Sequence, residues 1–163
     1  MSFTIRNATP ADVPAIERMG LRFVGSVAKY GTIFRATPQS MQTLAALFFA
    51  LGEDAAVIIL AVNSDDQPFG MIACVVAPQL IDGTIYADEM VWWVDPEARS
   101  LRAGPALLTA AEDWARGKNC SMLKMVAPIP STVGNFYERL GYQPIETAYA
   151  KGLKATWIPS SSS

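Results

Sequence analysis

Two apolar runs, Val57–Val62 and Phe69–Val76, flank the polar stretch Asn63-Ser-Asp-Asp-Gln-Pro68. Runs of strand length joined by such a turn predict an antiparallel hairpin in the middle of the chain. A third run, Ala87–Val94, stops at Asp95-Pro96, where proline has no N–H to continue a ladder. Whatever else the chain forms must pack on that sheet.

The flanking segments read as helices with short strands. Phe3–Arg6 alternates like a strand, and Thr9-Pro10-Ala11-Asp12 is a helix start, with a capping hydroxyl, a first-turn proline and an acid facing the dipole. That helix is expected to run to Met19–Val27. Thr37-Pro38 repeats the signal, and Met41, Leu44, Ala45, Phe48 and Leu51 carry helical spacing up to Gly52. Beyond the third run, Pro105, Leu107, Leu108, Ala111, Trp114 and Ala115 predict an amphipathic helix. Met122–Val126 predicts a strand, Val133–Leu140 a helix, and Thr147–Gly152 a last strand. The order is β-α-α-β-β-β-α-β-α-β, an α/β fold with a mixed sheet. One domain is expected over residues 1–159, followed by a disordered Ser160–Ser163 tail.

Composition removes whole classes. With 51% apolar and 17% charged residues and no apolar stretch near the ~20 residues of a bilayer span, disorder, coiled coil and membrane insertion are excluded. The N-terminus lacks the features of a signal peptide, so a cytoplasmic protein is expected. Cys74 and Cys120 stand apart in apolar segments and read as buried thiols. The chain has no histidine, which removes Ser-His-Asp and Cys-His catalysis and His-ligated metals; no metal is expected. Thirteen Lys and Arg against fifteen Asp and Glu give a net charge of −2, which argues against a nucleic-acid binder. Residues 1–96 carry five basic against ten acidic residues and residues 97–163 eight against five. An anionic ligand therefore belongs with the second part, unless the asymmetry is chance scatter.

The informative segment is Val94-Asp-Pro-Glu-Ala-Arg-Ser-Leu-Arg-Ala-Gly104-Pro105. A strand ends, a loop with two arginines and a glycine follows, and a helix begins, so that its unpaired N–H groups and positive dipole end leave the loop together. Such a turn suits a pyrophosphate; the plain alternative is an ordinary strand-to-helix loop with exposed arginines.

This segment resembles the signature of the GNAT N-acetyltransferases, Arg/Gln-x-x-Gly-x-Gly/Ala after Val-x-Pro, here Val94-Asp95-Pro96 and Arg99-Ser-Leu-Arg-Ala-Gly104. A second family element, Phe-Tyr-x-x-x-Gly-Phe/Tyr, matches Phe136-Tyr137-Glu-Arg-Leu-Gly141-Tyr142. Both lie in the family's order, and the resemblance covers residues 3–154. Two departures stand out. Arg102 replaces the middle glycine, and Pro130 lies nearest the place of the family's usual asparagine, with Asn135 closer to Tyr137 than that asparagine is. The Arg99–Gly104 and Tyr137–Tyr142 forms are also similar to members carried by phages and prophages.

The resemblance implies a mostly antiparallel sheet flanked by helices, acetyl-CoA as co-substrate, and direct transfer to an amine of a small molecule or protein. Backbone groups near Trp93 and Val94 would pair with the pantetheine arm. The amides of Arg99, Ser100, Leu101, Arg102, Ala103 and Gly104 would hold the pyrophosphate, and Asn135 would assist. Tyr137 would protonate the leaving thiolate, its plain alternative being a core aromatic. Asp88 and Glu89 are candidates for the base that deprotonates the acceptor; strand alternation sends them to opposite faces, with Glu89 slightly preferred and an ordered water as a third option. The first two helices and Lys29–Phe34 would form the acceptor side. The alternative reading is a catalytically silent protein of this fold serving in interactions. The acceptor's identity and the oligomeric state, a homodimer included, stay open.

Overall fold

The computed structural model describes residues 2–28, 35–129, 131–151 and 153. The loop Lys29–Phe34, Pro130, Gly152 and the Ser160–Ser163 tail, all singled out above, lie outside the described residues. Two compact units emerge, one of Met1–Phe23 with Ala36–Met125 and one of Val24–Arg35 with Val126–Ser163.

The first unit is built on five strands, β1 (Thr4–Asn7), β2 (Ala56–Val62), β3 (Pro68–Pro78), β4 (Ile85–Val94) and β5 (Leu123–Lys124), side by side in chain order. The first three pairings are antiparallel and β4–β5 is parallel. The β2–β3 hairpin is the one expected, and every residue of β2 is buried, as its uninterrupted apolar run requires. Helices α1 (Val13–Val27) and α2 (Pro38–Leu51) precede β2, and α3 (Ala103–Gly117) lies between β4 and β5. Among the described residues no helix is long and apolar enough to cross a membrane.

Local chemistry explains the helix starts. Thr37 caps α2 by accepting the Ser40 N–H on its hydroxyl at 3.1 Å, and Pro38 follows at the first position. At Thr9 the roles are reversed. The Asp12 carboxylate accepts from the Thr9 N–H (2.8 Å) and hydroxyl (3.1 Å), closing a 3-10 turn, Pro10–Asp12, ahead of α1. Arg6 grips the same carboxylate with two N–H groups at 2.9 Å each and holds it down at about 2.

Each face of the sheet has its own cover. Ile58, Leu60, Met71, Ala73, Val91 and Trp93 pack with Ile16 and Met19 of α1 and Ala45 and Phe48 of α2. The opposite face receives α3. A Cβ built on Gly70 would meet Leu107 Cδ1 of α3 at 3.2 Å and the Trp93 carbonyl oxygen at 3.3 Å, so β3, β4 and α3 converge closely at this glycine.

In the second unit, α4 (Val133–Arg139) is the only regular element starting there among the described residues. The last strand expected over Thr147–Gly152 is not formed at 147–151, which have no regular structure. Ile145 is 62% and Tyr149 94% exposed; a segment that buries nothing gains nothing against the entropy of ordering it. The expected strand at Met122–Val126 shrinks to Leu123–Lys124 for the same lack of pairing.

Candidate active site

The register of β3 against β4 runs Trp93–Met71, Trp92–Ile72, Val91–Ala73, then Glu89–Cys74 and Asp88–Val75. Met90 is passed over. This β-bulge shifts the alternation, so β4 changes which residues face which helices halfway along. Beyond it Val91 and Trp93 face α1 and α2; before it Asp88 takes that face, opposite Val75, which packs on the same core. Glu89 goes to the α3 face beside Cys74. Burial, reinforced by the charges of Glu89 and Asp88, pushes the Cys74 thiol up to about 12, which makes it inert at neutral pH. Cys120, expected to be buried, is half-buried.

Both candidate bases are thus constrained differently. Glu89 is buried. Asp88 is paired through Oδ2 with Lys124 Nζ of β5 at 3.3 Å, and its Oδ1 is buried with no hydrogen-bond partner, an arrangement that costs free energy unless something else meets it.

The parallel pairing of β4 with β5 ends at that rung. The Ala87 N–H donates to the Met122 carbonyl at 2.9 Å, Ser121 N–H donates to the Ile85 carbonyl at 2.8 Å, and the last matched pair is Asp88 with Lys124. From Met90 onward the outer edge of β4 has no strand beside it among the described residues. Asp95 N–H donates to the Phe69 carbonyl on the β3 side at 2.8 Å, so by alternation the peptide groups of Trp92 and Val94 turn to the open edge and those of Trp93 turn inward. Trp93, expected near the pantetheine arm, is a core ring, and the peptide groups of its neighbours on either side face the outer edge.

The open edge leads into the turn Pro96–Leu101, a 3-10 helix, and then into α3. Ser100 is exposed, Leu101 half-buried, Ala103 fully buried. The N-cap of α3 is Arg102, in the left-handed conformation at φ 60, ψ 21 with no side-chain cap. The position where the resembling family has glycine is therefore the one whose backbone favours glycine. The first-turn N–H groups of α3, including those of Ala103 and Gly104, have no partner within the helix. Gly104 lies against the Trp92 ring, where a Cβ would meet Cζ2 at 3.4 Å, so a larger side chain there would press on that ring.

Arg99 does not reach outward. Its guanidinium lies 5.4 Å from the Trp93 ring centroid, and its Nε donates to the Val94 carbonyl at 3.4 Å. Behind it is a cluster that sequence reasoning missed. The buried Asp95 carboxylate accepts from Trp93 Nε1 (2.9 Å), Arg18 (2.7 Å) and Arg22 (2.9 Å), and Arg22 also approaches Glu97 at 3.7 Å. Burial opposes the charge, but the bonds from Trp93, Arg18 and Arg22 prevail and hold Asp95 below the usual carboxylate range. Arg18 and Arg22 are one helical turn apart on α1, a visible pattern, but their partner lies 77 and 73 residues away, and no local signal connects them.

Tyr137 belongs to the second unit, buried in α4. Its hydroxyl donates to the Val126 carbonyl at 3.3 Å, and its ring lies 6.2 Å from Phe136 and 5.8 Å from Tyr142. Asn135 is exposed on the same helix. Among the described residues no group of three or more Cys, Asp or Glu is placed to hold a metal ion.

Residues 29–142 match the model of the acetyltransferase (GNAT) family. Over 75 residues the chain is 33% identical to the aminoglycoside N(6')-acetyltransferase type 1 of Klebsiella aerogenes, a match covering 40% of this chain and 45% of that protein. The chain therefore spans less than half the length of this curated relative. Of solved structures, glucosamine-6-phosphate N-acetyltransferase from Arabidopsis thaliana superposes with a TM-score of 0.71 at 16% identity over 94% of this chain and 100% of that one. An aminoglycoside 6'-N-acetyltransferase from Acinetobacter haemolyticus does so with a TM-score of 0.71 at 19% identity, over 93% and 98%. At such identities the likeness is one of fold.

Proposed function

The chain belongs to the acetyltransferase (GNAT) family, and on that premise we propose that it transfers an acetyl group from acetyl-CoA directly to an amine of a small molecule or a protein. The observation that carries the proposal is the outer edge of β4 beyond Met90, which has no described strand beside it and leads into the start of α3, whose first N–H groups have no partner within the helix. Extended backbone beside a helix N-terminus suits an amide-bearing arm that ends in a pyrophosphate. Gly104 and the amide of Ala103 would line the pyrophosphate end, the N–H groups of Arg99, Ser100 and Leu101 lying inside the 3-10 helix. Acetyl-CoA supplies an activated thioester; the chain supplies placement and proton handling.

Of the two carboxylates, Asp88 is the better base. It shares the face of α1 and α2, the acceptor side by resemblance, and has a buried oxygen to spare, whereas Glu89 lies under α3. Asp88 Oδ1 would take the first proton from the acceptor's ammonium and the neutral amine would attack the thioester carbonyl; as the C–S bond breaks, Tyr137, the acid by resemblance, would give its proton to sulfur and be restored by the second proton leaving the acylated nitrogen. No histidine is needed. The aminoglycoside relative makes an aminosugar amine the first acceptor to try, and the cytoplasm, where acetyl-CoA is at hand, is the proposed setting. The likeness to phage-borne members rests on the two sequence motifs alone.

Acetyl-CoA should raise the melting temperature by mass action, and thiol release should be seen with one or more members of a panel of aminosugars, polyamines and peptides. Gly104→Val should weaken the donor by pressing on Trp92. No thermal shift at millimolar acetyl-CoA would refute the proposal; a shift without turnover on any amine would leave the silent reading standing.

A further inference from the structure

The Val94 carbonyl is the last acceptor on the open edge of β4, and it is already taken. Arg99 Nε donates to it at 3.4 Å while the guanidinium lies over the Trp93 ring at 5.4 Å. The bond is long, and both it and the cation–π contact lie on an exposed side chain, so each is weak and readily exchanged. Trp93 is fixed by the core and by its bond to Asp95, so the seat under Arg99 is held in place. Arg99 also begins the segment that leads through Arg102 to the unpaired amides of α3.

We infer that Arg99 is a latch that serves two partners in turn: it covers the Val94 carbonyl until an extended amide-bearing ligand claims that carbonyl, and then swings to the ligand's pyrophosphate. This rests on the proposed donor site. It makes Arg99 a selector for donors that carry a pyrophosphate. An arm without one must displace the guanidinium and gains nothing in return, whereas the complete donor recovers the loss as a charge-assisted contact. A guanidinium that only attracted phosphate, or only propped the loop, would not act in both directions.

The test measures binding of acetyl-CoA and of S-acetyl-pantetheine, which lacks the pyrophosphate, to the full chain and to Arg99→Met and Arg99→Ala. Met keeps an apolar stem over Trp93, and matched melting temperatures establish that the variants fold. Loss of the latch should weaken acetyl-CoA about tenfold, the scale of one charged hydrogen bond, and tighten S-acetyl-pantetheine about threefold, the scale of one weak contact. Opposite signs support the latch. Weakening of both ligands, or S-acetyl-pantetheine binding that fails to strengthen, overturns it while leaving the donor site intact. A parent chain that binds no acetyl-CoA removes the donor site itself.

Discussion

Arg102→Gly should stabilise the protein although it shortens a side chain and removes a charge. Arg102 sits at φ 60, ψ 21, where an L-residue's Cβ crowds the following carbonyl at a cost of about 1–2 kcal/mol. Glycine escapes that cost but loses about 0.5–1 kcal/mol more backbone entropy on folding. The side chain is exposed and makes no hydrogen bond or ion pair among the described residues, so little else is lost. The net gain should be about 0.5–1 kcal/mol, or a melting temperature higher by about 1–4 °C for a chain of this size. Urea unfolding followed by tryptophan fluorescence reads it as a raised midpoint with an unchanged slope. Arg102→Ala is the control, since it drops the charge but keeps the crowded backbone, and should gain nothing. A stabilised Arg102→Ala, or an Arg102→Gly no more stable than the parent, would show that the left-handed turn is not the source of the strain. Acetyl-CoA should bind Arg102→Gly more weakly at low salt and nearly normally at high salt, because the loss is one of long-range charge.

Three more outcomes follow from the geometry. Asp12 ionises at about 2 instead of 3.8, first because of the bonds from Arg6. A depressed carboxyl stabilises above its unfolded value, so its contribution, at most about 2 kcal/mol, should be complete above pH 4 and fade from pH 4 towards 2; urea midpoints of Asp12→Asn against the parent measure it, and a gap independent of pH would refute it. Tyr137→Phe keeps the ring against Phe136 and Tyr142 but should lower turnover about 10- to 1000-fold with little change in donor affinity; unchanged turnover would make Tyr137 a packing residue. Asp88→Asn should slow acetylation mainly below the acceptor's own pKa, where it is an ammonium, while Glu89→Gln changes the profile little. The reverse result in a pH–rate comparison would return the role to Glu89, and loss in neither would favour a water.

What the sequence determined by itself is whatever depends on near neighbours. The β2–β3 hairpin, the Thr37-Pro38 helix start, the stop at Asp95-Pro96 and the loop opening α3 are readable because periodicity, capping and proline act over a few residues. The absence of histidine bounded the chemistry in the same direct way. Only the tertiary structure decided matters that need a distant partner. The bulge at Met90 exists only against β3, and it sets which of Asp88 and Glu89 faces α1 and α2. Asp95 is an ordinary acid until Arg18 and Arg22 arrive from α1. Arg99 reads as a cation for phosphate until the Trp93 ring and the Val94 carbonyl are seen beneath it. Thr147–Gly152 reads as a last strand yet is irregular at 147–151, because a strand is stabilised by a paired edge and a buried face, and neither is written in its own residues.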